Sequence, residues 1–489
     1  MLPSIEPGRA SPHADLAWKA TVAPIEVARV EALGAPRYLP RSPSSALTRI
    51  VEDHLDELRQ CYYERFARTY GPLPPRVLDL FERFVRCGDP HFGFLRLRCE
   101  DCGHERLLPF SCKARGLCPS CGKRRALEWA ERMVEEVLPE VSYSPLVFTI
   151  PKIIRPAFLF RPKLYGDFCR TAYRVVREAF EKRFPEIEQP VPAFLASSQS
   201  FGSLLNFHPH VHALSSCGVF DREGVFHPAD DFDFGALELP FRDALLAALE
   251  KQDAIAEERG ALVRSWEHSG FGVHTERVIE PGCRRELESI LQYMERAPVS
   301  LKRLTTLDTG MVHYQGRYHP GLKRDHQLVT GVEFLAMLVP HIQHRYQCKI
   351  RTYGALSTTL RKRFGWIATK PGGAAADHDS PNAASIRDDA EPNPELTRTR
   401  KRGWAHFIRK VWIDDPEQCE KCGGRMKIVA ALSSPEQDDV IRAILESTGQ
   451  WDPPWDRRGP PPARTAAPAD SSEPTIEYDV DPDSLWPDD

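Results

Sequence analysis

The stretch NFHPHVHALSSCGVF (residues 206–220) places three histidines, His208, His210 and His212, at alternate positions among apolar residues. Successive side chains of a β-strand point to opposite faces, so a strand here would carry all three imidazoles on one face. The preceding stretch PVPAFLASSQSFG (residues 190–202) also has the composition of a buried strand. We therefore predict a β-hairpin with its connection at residues 203–206.

Paired imidazoles at strand spacing favour a bound divalent cation, because neutral imidazole is the commonest metal-binding side chain. The predicted hairpin register pairs Gln199 with His210, which makes Gln199 a third candidate ligand beside His210 and His212. Such a set leaves coordination positions open for a substrate. We interpret His208 as a residue that orients a ligand or the substrate. The alternative is a row of buried imidazoles that are hydrogen-bonded to carbonyl groups.

Two CxxC pairs, separated by fifteen residues, are formed by Cys99, Cys102, Cys118 and Cys121. Four thiolates complete the tetrahedral coordination of Zn²⁺, so the spacing predicts one structural zinc site. Cys112 and His104 lie between the pairs and are alternative ligands. A third pair, Cys419 and Cys422, has no further pair downstream. This third pair is either half of a metal site, completed by a histidine or across a dimer, or a simple turn.

The charge of the chain is unevenly distributed. The net charge of the 489 residues is −4, but residues 301–366 carry eleven Lys or Arg against three Asp or Glu, whereas residues 453–489 carry three against nine. A basic segment of this density suits a polyanion. Residues 96–125 have a net charge of +5 and could bind phosphates without reading sequence. The candidate DNA-binding residues of that region are Lys113, Arg115, Lys123, Arg124 and Arg125.

Composition and periodicity divide the chain into six segments. Residues 1–45 are expected to be a disordered leader, 369–402 a linker and 449–489 a disordered acidic tail. Helical periodicity and the CxxC pairs predict a helical zinc-binding, DNA-binding domain at 46–140. Residues 141–368 mix strands and helices, including a strand at 144–151 and a helix at 282–296, and 403–448 form a small unit with the third CxxC.

Several classes of protein are disfavoured by what the sequence lacks. It contains no run of eighteen apolar residues and no secretory signal, so we expect a cytoplasmic protein without a membrane partner. It also lacks a His-Glu-x-x-His helix, a GxSxG elbow and a Walker loop. Clustered cysteines in a reducing compartment favour metal binding over disulfides.

The histidine stretch, preceded by QSFG, resembles the His-hydrophobic-His motif of rolling-circle nucleases, specifically the insertion-sequence transposases of the IS91 type. RCEDCGHERLLPFSCKARGLCPSCGKRRA resembles the zinc-binding domain of that family, LVFTIP its first strand, and LQYMERAPVSLKRL its tyrosine helix. RTYGALST and WAHFIRKVWIDDPEQCEKCGGRMKIVA resemble its C-terminal portion. The resemblance covers roughly residues 50–430 and includes five separated motifs in the same order.

The resemblance implies an α+β fold, with an N-terminal helical zinc-binding module followed by an HUH-nuclease domain. In that domain a central antiparallel sheet bears the histidines, and one of the flanking helices presents a tyrosine. Tyr293 would attack a DNA phosphate, forming a 5′ phosphotyrosine and a free 3′ hydroxyl, with Mg²⁺ or Mn²⁺ held by His210 and His212. Relatives with two nucleophiles have tyrosines four residues apart, whereas this chain has Ser289 before Tyr293, which favours a single-tyrosine scheme. Tyr353 is interpreted as a core residue.

The leading hypothesis is therefore a bacterial, nucleoid-associated transposase with structural zinc, which nicks and rejoins single-stranded ends of a mobile DNA element. Its expected partner is DNA, mainly single-stranded element ends and the target. The alternative is a non-catalytic, zinc-dependent DNA-binding protein or an inactive transposase remnant. The sequence leaves the oligomeric state open.

Overall fold

A computed structural model of the chain describes residues 45–114, 116–275, 277–319, 323–343, 347–366 and 418–451. The expected leader up to residue 44, Arg115, the expected linker and the acidic tail from residue 452 lie outside the described residues.

The α-helices of the described residues are α1 (Ala46–Arg65), α2 (Ala67–Tyr70), α3 (Pro75–Val85), α4 (Pro119–Arg132), α5 (Arg155–Phe160), α6 (Leu164–Arg183), α7 (Glu238–Glu250), α8 (Glu257–Arg264), α9 (Arg284–Met294), α10 (Gly331–Leu338), α11 (Thr358–Arg363) and α12 (Asp438–Ser447). The strands are β1 (Gly93–Cys99), β2 (Glu105–Pro109), β3 (Tyr143–Thr149), β4 (Ala193–Phe201), β5 (Phe207–Ser216), β6 (Gly218–Phe220), β7 (Phe226–Pro228), β8 (Gly272–Thr275), β9 (Leu304–Thr306), β10 (Val312–His319), β11 (Arg324–Val329), β12 (Ile350–Gly354) and β13 (Met426–Ser433). The fold is a mixture of helices and antiparallel sheets, so the α+β class predicted from the sequence is confirmed.

The central sheet has five strands in the order β12-β4-β5-β3-β8, and every pairing in it is antiparallel. Strands β4 and β5 form the predicted hairpin, and Gln199 pairs with His210 as the sequence predicted. Because the side-chain period of a strand is two, Val211 and Ala213 of β5 enter one core, while His210 and His212 lie on the opposite face.

The two faces of this sheet are covered by different helices. Apolar residues of α5, α6 and α7 form a core against one face. The other face packs on α4 and α9, and α9 contributes Leu287, Ile290, Leu291 and Met294 to that core. Their spacing of three and four residues puts one stripe of α9 against the sheet. Full burial of a side chain of this kind stabilises the fold by about 1.5–3 kcal/mol. Tyr293 lies beside this stripe, on the histidine face of the sheet.

A third core joins the N-terminal helices to a later part of the chain. Helices α1 and α3 pack with α10 and with the sheet β11-β10-β9. One cluster of buried residues therefore has members within residues 47–87, 112–118 and 299–342. Buried residues from both sides of residue 140 thus share this core, and the domain division at that residue stays a prediction.

The C-terminal segment packs against the region of the first CxxC pair. Strand β13 pairs with β1 in a sheet of order β13-β1-β2, and Cys99 lies opposite Met426. Residues 418–451, the described part of the unit predicted at 403–448, thus share a sheet with strands β1 and β2. Sequence periodicity does not reveal this pairing, which joins segments more than 300 residues apart. Among the described residues, none of the helices combines the length and apolar character needed to cross a bilayer.

Candidate active site and cysteine clusters

His210 and His212 lie side by side on β5, with their Nε2 atoms 3.1 Å apart. Both are almost completely buried, at 6% and 4% exposure. Nδ1 of His210 lies 2.7 Å from the carbonyl oxygen of His208 and donates to it. In a neutral His210 the proton is therefore on Nδ1, and Nε2 carries a lone pair that faces His212. A metal ligand requires such a lone pair.

Burial favours the neutral form of these imidazoles. It lowers the pKa of His210 to about 4, and it also lowers the pKa of His208 and of His212. Neutral imidazole is the form that binds metal. Two nitrogens in adjacent positions of an octahedral ion, each about 2.1 Å from it, would be about 3 Å apart. The observed separation fits this arrangement, so the histidine pair is suited to hold a divalent cation.

Tyr293 lies next to the histidine pair. Its ring stands edge-on to that of His212, with the centroids 5.3 Å apart. Arg296 covers the tyrosine ring, with the guanidinium carbon 4.2 Å from its centroid. The fold therefore brings together the three residues to which the sequence analysis assigned the chemistry. Arg296 was not singled out, although it lies within the LQYMERAPVSLKRL motif.

Gln199 contacts the tyrosine helix through its amide. Its Nε2 donates to the carbonyl oxygen of Met294 at 3.1 Å, and Oγ of Ser197 donates to the same oxygen at 2.8 Å. These bonds satisfy a carbonyl at the C-terminal end of α9, where carbonyl groups have no N–H donor within the helix. Oε1 of Gln199 is buried and has no hydrogen-bond partner among the described residues. The predicted ligand role of Gln199 stays a prediction.

A cavity of about 950 Å³ opens at this site and is lined by His208, His210, His212 and Tyr293. Its lining is strongly basic and, in the described part of the chain, includes no Asp or Glu. The cations of the lining are Lys123, Lys152, Arg155, Arg296, Lys302, Arg303 and Arg317. They come from four separate parts of the chain, so only the folded protein forms a single basic surface. This surface is suited to a phosphate backbone.

Of the candidate DNA-binding residues, the cavity includes only Lys123. Arg124 forms an ion pair with Glu128 and Arg125 one with Glu295, while Lys113 is exposed. Arg115 lies outside the described residues.

The remaining candidates of the sequence analysis are also placed by the structure. Ser289 lines the same cavity as Tyr293, one helical turn earlier. The ring of Tyr353 stacks on that of Tyr173, with centroids 4.9 Å apart, and packs against the core. Tyr353 is therefore a partly buried residue that packs against the core.

The cysteines form two clusters instead of the single site predicted from Cys99, Cys102, Cys118 and Cys121. The first cluster consists of Cys87, Cys112, Cys118 and Cys121, and three of its sulfur pairs are 3.6–3.9 Å apart. Four thiolates around Zn²⁺ at about 2.3 Å would be separated by about 3.8 Å. The cluster thus fits zinc. It lies at the start of α4, where Cys118 is the N-cap.

The second cluster consists of Cys99, Cys102, Cys419 and Cys422. The sulfur of Cys99 lies 3.5 Å from that of Cys422, and the sulfur of Cys102 lies 3.6 Å from that of Cys419. The prediction was wrong in its grouping because the two nearest CxxC pairs have different partners. Cys112, named as an alternative, is a member of the first cluster, whereas His104 bonds to Glu420. Cys87 was missed because it is isolated in sequence.

Two family models match the chain. A family described as "Transposase zinc-binding domain" matches residues 57–150, and one described as "Putative transposase" matches residues 194–363. The second match contains the histidine strand and Tyr293.

Two relatives carry similar descriptions. The "Transposase for insertion sequence element IS801" of Pseudomonas savastanoi pv. phaseolicola is 24% identical over 417 residues, which is 82% of this chain and 92% of the relative. The "Putative transposase y4qJ" of Sinorhizobium fredii (strain NBRC 101917 / NGR234) is 26% identical over 293 residues, or 54% of this chain and 70% of that relative. No solved structure matches the chain. Over most of its length the chain is thus similar to insertion-sequence transposases of the IS91 type.

Proposed function

We propose that this protein acts on DNA as a transposase and that it nicks and rejoins single-stranded ends of a mobile element through a 5′ phosphotyrosine at Tyr293. The observation that carries the proposal is the common cavity of Tyr293, His210 and His212, in which the tyrosine ring contacts His212. The family and the relatives' descriptions support transposition in general, and the geometry of the cavity supports the tyrosine chemistry.

His210 and His212 would hold a divalent cation, with Gln199 as the candidate third ligand. When bound, Mg²⁺ or Mn²⁺ supplies positive charge next to the oxygens of the scissile phosphate. Tyr293 Oη attacks phosphorus in line, so that the Oη–P bond forms as the bond between phosphorus and the 3′ oxygen breaks. The phenol gives its proton to solvent, and the released 3′ oxygen takes one up. Rejoining is the reverse substitution by a 3′ hydroxyl, and it needs no ATP because the ester retains the bond.

The basic lining would hold the DNA strand on either side of this phosphate. Lys123, Lys302 and Arg317 lie among its cations, and contacts to the phosphates would make binding strongly salt-dependent. Tyr318 lines the same cavity with 63% of its surface exposed. Its ring is available for stacking on an unpaired base, which favours a single-stranded substrate over a duplex.

The test is covalent capture of labelled single-stranded DNA from the flanks of the gene, with Mn²⁺ present. The wild-type chain should give an SDS-resistant adduct, and mass spectrometry should find the nucleotide on Tyr293. We expect no adduct with Tyr293→Phe, His210→Ala or His212→Ala, whereas the control Tyr353→Phe should retain it.

Two other results would overturn the proposal. An adduct that persists in Tyr293→Phe would show that another residue is the nucleophile. Salt-sensitive retention of DNA without any adduct in the wild type would favour the alternative, a non-catalytic DNA-binding protein or an inactive transposase remnant.

A further inference from the structure

The two CxxC pairs of the second cluster have the same backbone structure. The N–H of Cys99 donates to the carbonyl five residues later at 2.8 Å, and the N–H of Gly103 donates back to the oxygen of Cys99 at 3.2 Å. In the other pair, the N–H of Cys419 donates to the carbonyl five residues later at 2.8 Å, and the N–H of Gly423 donates back to Cys419 at 2.8 Å. Both glycines have positive φ, +70° and +75°, which glycine adopts without a steric cost. Two equivalent turns thus present their sulfurs to one point.

The distances between these sulfurs indicate a metal and not a disulfide. The pairs Cys99–Cys422 and Cys102–Cys419 are separated by 3.5 and 3.6 Å, whereas a disulfide bond is about 2.05 Å long. The tetrahedral arrangement around Zn²⁺ requires about 3.8 Å. All four ligand atoms lie within 4.8 Å of one another, so a single ion can contact each of them.

The surrounding core is small. In the described part of the chain, the buried apolar residues beside the cluster, apart from the cysteines themselves, are Leu97 and Met426. The adjacent core under α12 consists of Phe94, Leu432 and three residues of the helix. Cores of this size rarely maintain a fold alone, and natural proteins often add a structural metal in such cases.

We propose that Cys99, Cys102, Cys419 and Cys422 bind a second Zn²⁺, distinct from the ion of the first cluster, which fastens residues 418–451 to the β1–β2 hairpin. The ion would join segments more than 300 residues apart and would stabilise the pairing of β13 with β1. The third CxxC pair is thus half of a metal site, and its other half lies in the same chain.

Metal analysis of the full chain tests the stoichiometry. The wild-type protein should hold two zinc ions, and the double variant Cys419→Ser/Cys422→Ser should hold one. Cys87→Ser/Cys112→Ser should lose the other ion, and Cys283→Ser/Cys348→Ser, which changes two exposed cysteines outside the clusters, should retain both. Two ions in Cys419→Ser/Cys422→Ser, or one in the wild type, would overturn the proposal.

Alkylation of the unsubstituted chain gives a test that does not depend on the folding of a variant. Cys102 and Cys422 are exposed, as are Cys283 and Cys348, so bare thiols at all four positions should react alike. Zinc ligation should protect Cys102 and Cys422 until a chelator is added, while Cys283 and Cys348 react from the start. Equal reaction of all four in the zinc-loaded protein would rule out the site.

The fastening role is tested by inserting a protease site between residues 366 and 418. After cleavage, the C-terminal fragment should stay with the remainder in the wild type and in Cys87→Ser/Cys112→Ser. It should dissociate in Cys419→Ser/Cys422→Ser. A fragment that stays bound in this last variant would show that the zinc does not hold it.

Discussion

The guanidinium carbon of Arg296 lies 4.2 Å from the centroid of the Tyr293 ring, so a cation covers one face of the proposed nucleophile. The same group lies 5.2 Å from the ring of Phe201. Burial lowers the pKa of Arg296, and its Nε has no hydrogen-bond partner among the described residues. A largely desolvated cation beside the tyrosine is well placed to stabilise the negative charge that develops on the phosphate and on the phenolic oxygen.

We therefore expect Arg296→Ala to slow formation of the covalent adduct by about 10²-fold, the usual effect of losing one electrostatic contact in a transition state. The rate is measured by single-turnover capture of labelled single-stranded DNA. Arg183→Ala serves as the control, because Arg183 is paired with Asp231 at the end of α6, on the other side of the sheet. An unchanged rate in Arg296→Ala would show that this cation contributes only packing.

The hairpin of the central sheet and its register could be predicted because the signal lies in short stretches of sequence. Alternating residues in β4 and β5 determine which side chains share a face, and the short connection determines the register that pairs Gln199 with His210. The apolar spacing in α9 likewise determines which of its residues face the sheet. Tyr293 could be placed near the histidines only through the resemblance to a family, since no local pattern joins α9 to β5.

The cysteine clusters could not be grouped correctly, because their ligands come together only through long-range contacts. Cys87 follows α3 as a single cysteine and joins Cys118 and Cys121 through the packing of the N-terminal helices. Cys99 and Cys419 meet because β13 pairs with β1. The sequence did contain one signal. Six cysteines lie within residues 87–121 and two more at 419 and 422, and these eight are enough for two zinc sites of four cysteines each.

Ser289 lies four residues before Tyr293 and lines the same cavity. A serine hydroxyl without a neighbouring base is a weak nucleophile. We predict that Ser289→Ala leaves the yield of covalent adduct unchanged, while Tyr293→Phe abolishes it, as measured by gel mobility in SDS. Loss of half the adduct in Ser289→Ala would instead indicate that both residues attack.

Gln199 allows a metal ligand to be distinguished from a residue that only positions the tyrosine helix. Gln199→Leu removes both the buried Oε1 and the amide bond to Met294, whereas Ser197→Ala removes only a hydrogen bond to the same carbonyl. We expect Ser197→Ala to lower the free energy of unfolding by about 1 kcal/mol without changing the Mn²⁺ requirement. Gln199→Leu should raise the Mn²⁺ concentration for half-maximal cleavage by about tenfold or more. Equal Mn²⁺ requirements in the two variants would exclude Gln199 as a ligand.

The first cysteine cluster is connected to the cavity through α4. Cys118 caps this helix, and Lys123 of the same helix lines the cavity, where it donates to Gln292 at 2.9 Å. We predict that Cys118→Ser releases one zinc ion and weakens binding of single-stranded DNA. In a plot of log affinity against log salt concentration, the slope should become shallower by about 1, which corresponds to the loss of one phosphate contact. Cys61→Ser, outside both clusters, should change neither quantity, and unchanged zinc in Cys118→Ser would contradict the assignment.

His341 makes the stability of the hairpin region dependent on pH. It is buried, its Nε2 donates to the carbonyl of Leu205 at 2.8 Å, and its Nδ1 accepts from the hydroxyl of Ser200 at 3.0 Å. Burial lowers its pKa to about 4, below the ordinary value of about 6.5. Its contribution to stability is therefore complete above pH 6.5 and is lost as the pH falls toward 4, with a loss of about 2 kcal/mol by pH 5.

The wild type should lose free energy of unfolding between pH 7 and pH 5. We expect His341→Gln to lose about 2 kcal/mol less over the same pH range. Urea denaturation at the two pH values measures this difference. Glutamine does not titrate, and its amide can still donate toward Leu205. The exposed His268 provides the control, since His268→Gln should leave the wild-type loss intact. If His341→Gln lost as much stability as the wild type, another buried group would be responsible for the acid sensitivity.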